Sequence, residues 1–336
     1  MRVLISAYDR GSSGISSYTL ELAKLLSKDV KISLISFQDI DLPGVDVIPI
    51  RRIQESRALP LLTFLRNEKR IREVTKDFDL VHETLPPWGS TTQPMITTRW
   101  GYLSYIELAW VRLTGLSFPE KLGAFPVTLQ HYLMDRRSRM RARYVIDVSR
   151  ETPNFIPPPV EPRPQKSYQC STLRLLFVSR DLGMPRKNLG VVMRALSMVK
   201  VPVELHLVGA GRPPGPKPPY PVINHGQLLR EEVISLMREV DLLVLPSTYE
   251  ELGFVGLEAY SVGLPVVTSD IPSFRAVFKA SLRFHPKDPV GLADIINSIS
   301  CNKLEKMGKE SREYVIKSNE LGRRKILDIY RLVIQR

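Results

Sequence analysis

The sequence predicts an α/β protein of the doubly wound class, with two parallel-sheet domains. Three observations carry this. Apolar runs with the length of buried strands alternate with segments of helical periodicity along most of the chain. Residues 241–268 compress the pattern into one unit: the run DLLVL, a polar turn, a helical stretch 254–262 closed by Gly263 and Pro265, and a second buried strand at 265–268. Residues 157–164, PPPVEPRP, read as an extended, semi-rigid connector, which places a domain boundary near residue 165. At 336 residues each half is long enough to bury its own core.

In chain order, residues 2–6 form a short apolar strand. A helix at 15–26 follows, with Ile15, Tyr18, Leu22, Leu25 and Leu26 at helical spacing. Strands are expected at 31–36 and 45–50, then an amphipathic helix over 59–76 with Leu62, Leu65, Ile71 and Val74 inward. Strands at 80–82, 95–98 and 144–148 complete the first half. In the second half, strands are predicted at 173–178, 203–208, 222–224, 241–245 and 265–268, and helices from 189, at 231–240 and at 254–262. Residues 270–274 read as a loop, with helices beyond, the last at 320–334.

Composition bounds the function. Hydrophobic residues make up 43% and charged residues 25%, the balance of a globular protein. Cys170 and Cys301 match no metal or redox spacing and are read as free thiols of a reducing compartment. No apolar run reaches bilayer-spanning length, and the first residues go straight into a strand, so a cytoplasmic protein is expected. The net charge is +13, concentrated in 136–143, RRSRMRAR, and at Arg323, Arg324 and Lys325. Anionic lipid and nucleic acid would both be attracted. No nucleic-acid motif accompanies the charge, so no nucleic acid is expected and an anionic membrane surface is the candidate partner, with a peripheral location on the cytoplasmic face. Residues 102–118 are rich in aromatic and aliphatic side chains and stand near that basic stretch, a pairing that suits a membrane-surface helix or, equally, a buried core helix.

The chemistry-bearing residues cluster where loops leave strand ends, the place where doubly wound sheets bind ligands. After the strand at 241–245 come Glu250 and Glu251, then Gly253, Phe254 and Val255 opening a helix, with Glu258 about one turn in. The amide groups at that helix start suit a diphosphate. The glutamates, acceptor-only when ionised, suit vicinal hydroxyls, although solvated charges would give the same spacing. Arg180 and Lys187 follow the strand at 173–178 and could neutralise a leaving diphosphate; two surface charges are the alternative. His82 ends the strand at 80–82, as a ligand contact or as a structural histidine. Gly11 and Gly14 lack the dinucleotide three-glycine spacing. No closely spaced acidic cluster suggests a metal, and none is expected as cofactor.

The run EELGFVGLEA at 250–259, with Ser247 before it and GLPVV at 263–267 after it, resembles the glutamate, seven residues, glutamate motif of glycosyltransferase family 4. It departs from the usual glutamate-glycine-phenylalanine-glycine at Glu251 and Leu252. The resemblance covers nearly the whole chain and is strongest over 173–268. It implies a GT-B fold, two Rossmann-like doubly wound domains facing across a cleft, with an acceptor-side domain at 1–165, a donor-side domain at 166–319 and a helix at 320–336 crossing back. It also implies a retaining transferase that moves a sugar from a nucleotide-diphosphate sugar to an acceptor hydroxyl, such as a glycan or lipid-linked acceptor. Glu250 would then hold donor-sugar hydroxyls and Glu258 the ribose. Gly14 would face the donor phosphates, Gly226 and Gln227 would read the base, and Arg180 and Lys187 would grip the diphosphate. Ser179 and Asn188 replace the glycines that accompany those cations in the family. Where members often carry a histidine near the reacting sugar, this chain has Trp100 after Arg99. Trp100 would stack on a sugar ring, or Arg99 would stand as a cation near the leaving phosphate. The rival readings are a nucleotide-sugar epimerase of the same fold and a glycosyltransferase-like binding protein without activity.

Overall fold

The computed structural model describes residues 1–6, 14–36, 40–49, 60–84, 91–100, 118–168, 171–214 and 219–335. The loop around Gly11, the segment 85–89, the aromatic stretch 102–117 and Cys170 lie outside the described residues. The chain divides into two units, Met1–Pro159 with Asn319–Arg336, and Val160–Ser318. The division at 159/160 falls inside the proline-rich connector, a few residues ahead of the expected boundary.

The first unit contains β1 (Arg2–Ser6), α1 (Gly14–Leu26), β2 (Lys31–Ser36), β3 (Asp46–Pro49), α2 (Pro60–Thr75), β4 (Leu80–Glu83), β5 (Met95–Arg99), α3 (Phe118–Arg141) and β6 (Tyr144–Asp147). Its strands form one sheet in the order β3-β2-β1-β4-β5-β6, every neighbouring pair parallel. Strands buried on both faces explain the near-continuous apolar runs of the sequence: Val3, Leu4 and Ile5 of β1 are fully buried. Leu4, Ile35, Ile71, Val81, Met95 and Met134 make a core cluster of this unit.

The second unit contains β7 (Leu173–Asp181), a 3₁₀ turn at Pro185–Lys187, α4 (Leu189–Leu196), β8 (Val203–Ala210), β9 (Val222–Asn224), α5 (Arg230–Glu239), β10 (Leu242–Leu245), α6 (Phe254–Ser261), β11 (Val266–Ser269), α7 (Pro272–Val277), β12 (Leu282–Phe284), α8 (Pro289–Asn297) and α9 (Cys301–Gln335). Its sheet runs β12-β11-β10-β7-β8-β9, again parallel throughout. Renumbered within each unit, both orders are 3-2-1-4-5-6, the Rossmann arrangement. In each, the first strand lies beside the fourth, and the connections after those two strands depart in opposite directions. That leaves a crevice at their carboxyl ends: between β1 and β4 in the first unit, between β7 and β10 in the second.

Three expectations need correction. Residues 270–274 are expected as loop, but 272–277 form α7, because Pro272 stands at the first turn of a helix, where its missing N–H costs nothing. The final helix is not separate: it is the latter part of the 35-residue α9, which contributes 301–318 to the second unit and 319–335 to the first. Cys301 is disulfide-bonded rather than a free thiol.

Candidate functional site

The crevice of the second unit gathers the charged residues. The loop after β7 and the loop after β10 leave adjacent parallel strands and are stitched together. Thr248 N–H donates to the Arg186 carbonyl at 2.9 Å, and Asn188 Nδ2 donates to the carbonyls of Pro246, at 3.0 Å, and Pro286, at 2.8 Å. Asn188 adopts φ 58°, in the left-handed region that a short polar side chain tolerates best after glycine. This accounts for Asn188 standing where the family motif has glycine: the backbone there must be left-handed, and the asparagine amide also ties the two loops.

Glu250 is the meeting point. Its side chain is 12% exposed and forms ion pairs with Lys187 Nζ and with Arg186 Nη1, the latter at 3.4 Å. Burial pushes its carboxyl upward, but the Lys187 and Arg186 charges outweigh that and hold it below the usual glutamate range. It therefore stays an acceptor-only carboxylate. Sequence reasoning named Lys187 but missed Arg186. The neighbouring cation chosen from the sequence, Arg180, stands exposed near the end of β7.

Gly253 follows with φ 67°, again left-handed, as the N-cap of α6. A Cβ built there would come within 2.7 Å of the Phe274 ring. Only glycine both adopts this φ and fits under Phe274, so the α6 amides of Phe254 and Val255 stay open at the crevice end of the helix. Phe254 is buried beside them.

Glu258, one turn into α6, is 7% exposed, and Arg230 Nε donates to its Oε1 at 2.5 Å. Arg230 also lies over the Phe254 ring, 5.7 Å from the centroid. Arg230 was not singled out from the sequence; it opens α5, just after the Gly226–Gln227 turn. Gly226 has φ 67°, its N–H donates to Asn224 Oδ1 at 2.9 Å, and its carbonyl accepts from Gly209 N–H at 2.7 Å. A side chain at Gly226 would meet open space. Lys187, Glu250, Glu258 and the glycine turn are thus set after three strands of a single sheet, β7, β10 and β9.

The first-unit candidates behave differently. His82 is fully buried; its Nδ1 lies 2.6 Å from the Tyr330 hydroxyl and its Nε2 2.9 Å from the Thr98 hydroxyl. Burial lowers its pKa to about 3. It is a satisfied core histidine of the first unit, held neutral, and both ring nitrogens are committed. Trp100 is 7% exposed, its indole N–H donates to the Thr84 carbonyl at 2.7 Å, and its ring meets Tyr18 edge-on at 5.0 Å. A side chain so enclosed has no face to stack on a sugar. The Arg99 guanidinium is clamped to Asp147, with Nη2 donating to Oδ2 at 2.6 Å, so its charge is already neutralised within the unit. Gly14 is exposed at the start of α1, behind a loop outside the described residues.

No group of three or more histidine, cysteine, aspartate or glutamate residues that could hold a metal occurs among the described residues. The site's charge chemistry is that of fixed cations, amide dipoles and carboxylate acceptors.

A fold of two parallel six-stranded sheets is shared along almost the full length with solved GT-B glycosyltransferases. A sucrose-phosphate synthase from Thermosynechococcus elongatus superposes with a TM-score of 0.67 at 14% identity, covering 99% of each chain. HepE from Anabaena, solved in complex with UDP and glucose, superposes with a TM-score of 0.64 at 14% identity, over 98% of this chain and 99% of that one. The chain therefore has the GT-B fold. Residues 172–302 match the family model described as glycosyl transferases group 1. Curated relatives align over shorter stretches. The O-antigen biosynthesis glycosyltransferase WclY of Escherichia coli is 37% identical over 75 residues, and a glycogen synthase of Mycobacterium tuberculosis is 39% identical over 77. These alignments span 22% of this chain and only 21% and 19% of the relatives' own lengths. The family-model match thus falls within the second unit of a chain with the GT-B fold.

Proposed function

We propose that the protein is a retaining glycosyltransferase of family 4 that moves a sugar from a nucleotide-diphosphate sugar to an acceptor hydroxyl, as in a lipid-linked or cell-envelope glycan. The observation that carries this reading is the convergence of Lys187, Arg186, Glu250 and the α6 N-terminus at the crevice between β7 and β10. Breaking the anomeric carbon–oxygen bond of such a donor leaves negative charge on the diphosphate. Two cations and a set of open helix amides, held before the reaction starts, stabilise that charge as it develops. Arg186 and Lys187 sit beside the Glu250 carboxylate, so one cluster offers cations to the diphosphate and an acceptor to sugar hydroxyls. Glu258, held by Arg230, takes the ribose hydroxyls, and the turn at Gly226 and Gln227 lies against the base. Arg180, at the same sheet edge, adds a further cation for the diphosphate. Neither glutamate is assigned as a covalent nucleophile. With two cations and the helix dipole in place, the leaving group needs no metal.

The complex of HepE with UDP and glucose gives the first probes. A thermal-shift screen of the full chain against UDP-, GDP- and ADP-sugars should single out one donor, since a ligand at a hundred times its dissociation constant stabilises by about 2.7 kcal/mol. Product analysis with that donor should show transfer with retained anomeric configuration. An inverted product or a metal-dependent epimerised donor would refute the reading. A donor that binds but is neither transferred nor hydrolysed would replace it with a binding protein.

A further inference from the structure

Helix α3 carries a row of exposed apolar side chains. Phe118, Leu122, Phe125, Leu129, Leu133 and Met140 are 78%, 69%, 47%, 37%, 50% and 75% exposed. Their spacing of three and four residues places them in one line along the helix, while Thr128, Met134 and Ser138 face inward and are buried. The helix has 24 residues, so the row runs for roughly 30 Å. Large apolar side chains this exposed, in one line over six turns, mark a surface that meets something other than water.

Charge identifies what it meets. The only position of the row that is not apolar is taken by Arg136, exposed between Leu133 and Met140, and exposed Lys121 and Arg141 stand at either end. A second copy packed along this face would bring Arg136 into an apolar seam without a counter-ion, which is costly. An anionic bilayer accepts both kinds of group: the apolar side chains enter the acyl boundary, and the cations on their flexible stems reach lipid phosphates. The net charge of +13 draws the whole chain to the same surface. No described helix is long and apolar enough to cross a membrane, so the contact is a helix lying in the plane of the interface.

We propose that the outer face of α3 docks the protein on an anionic lipid bilayer. The sequence placed the membrane-surface character in residues 102–118; the exposed apolar row places it on the following helix, 118–141. The inference deepens the lipid-linked acceptor reading, because a transferase held on the bilayer meets acceptors that never leave it. It makes no use of the donor site.

The test is co-sedimentation of the full chain with vesicles of phosphatidylcholine alone or mixed with phosphatidylglycerol, at low and high salt. The expected result is binding to the mixed vesicles only, weakened by salt. The double variant Leu122→Glu/Leu129→Glu should lower the partition coefficient about tenfold or more, since each leucine loses its place in the acyl boundary. Arg136→Glu should weaken binding to mixed vesicles and leave the fold intact, because all three side chains are exposed; circular dichroism and an unchanged melting temperature check this. Absence of binding to the mixed vesicles overturns the proposal. So does a concentration-dependent dimer, seen by light scattering, that Leu122→Glu/Leu129→Glu abolishes while vesicle binding persists. Donor thermal shifts are measured alongside: an unsubstituted chain that binds donor but no vesicles sinks the docking face alone, and one that binds vesicles but no donor sinks the donor site alone.

Discussion

Replacing Glu250 with glutamine removes one negative charge from the centre of the cluster and changes little in shape. Glu250 is 12% exposed, and its partners Lys187 and Arg186 are 17% and 39% exposed. Removing one member of a fully buried ion pair costs about 3–5 kcal/mol. Here the cations keep access to water and the amide oxygen still accepts one hydrogen bond, so a loss of about 2 kcal/mol is expected. In a unit of this size that lowers the melting temperature by about 4–8 °C. The stabilisation should also depend on pH. The folded carboxyl titrates below its unfolded value, so its contribution is present above the ordinary glutamate pKa and is lost as pH falls through the lowered folded value. The wild-type advantage over Glu250→Gln should therefore shrink toward acid pH. On activity, sugar hydroxyls lose a charged acceptor, worth about 1.5–3 kcal/mol, so kcat/KM should fall about tenfold to hundredfold. Differential scanning fluorimetry and initial rates with the selected donor read both. A variant with the expected thermal loss but unchanged turnover would show that Glu250 is a structural counter-ion. Unchanged melting and unchanged turnover would refute the cluster altogether.

Gly253→Ala should cost about 1–2 kcal/mol from the left-handed backbone alone, and more as the Phe274 ring yields to the new methyl group; denaturant unfolding measures it, and an unchanged midpoint contradicts the tight fit. For His82, burial holds the folded imidazole neutral down to about pH 3, whereas the unfolded chain takes up a proton near pH 6.5. Stability should accordingly drop as pH falls through that window, by about 2 kcal/mol at pH 5. In His82→Gln this part of the acid dependence should vanish, and an identical pH–stability curve would refute the buried neutral histidine. Chelation of divalent metals should leave transfer rates unchanged; activity lost in chelator and restored by one metal would overturn the cation-and-dipole account of the leaving group.

Much of the architecture was legible because it rests on local pattern. Runs such as LLVL at 242–245 are apolar because a parallel strand is covered on both faces, and Gly253 betrays its turn because a left-handed position beside an aromatic ring admits nothing larger. The donor motif from Glu250 to Glu258 lies on one loop and one helix, so nine consecutive residues carry its signature. Its partners are not local. Arg186 meets Glu250 from 64 residues away and Arg230 meets Glu258 from 28, and neither carried a signal that set it apart from Arg180 or any other loop cation. Conversely, His82 and Trp100 had the residue type or the position of acceptor-side groups, and only their surroundings in three dimensions exclude that use. Tyr330, which occupies one nitrogen of His82, comes from the far end of the chain.

The amino-acid sequence determined where strands and helices form and which loop opens a helix toward a ligand, since periodicity, glycine and proline act over a few residues. Tertiary structure alone decided which cations flank Glu250, that His82 is buried and neutral, and that the apolar row of α3 stays on the outside. Those facts follow from strand order: pairing β7 with β10 brings together two loops whose contacting residues lie 58 to 64 positions apart in the chain, and burial is a property of what packs around a side chain.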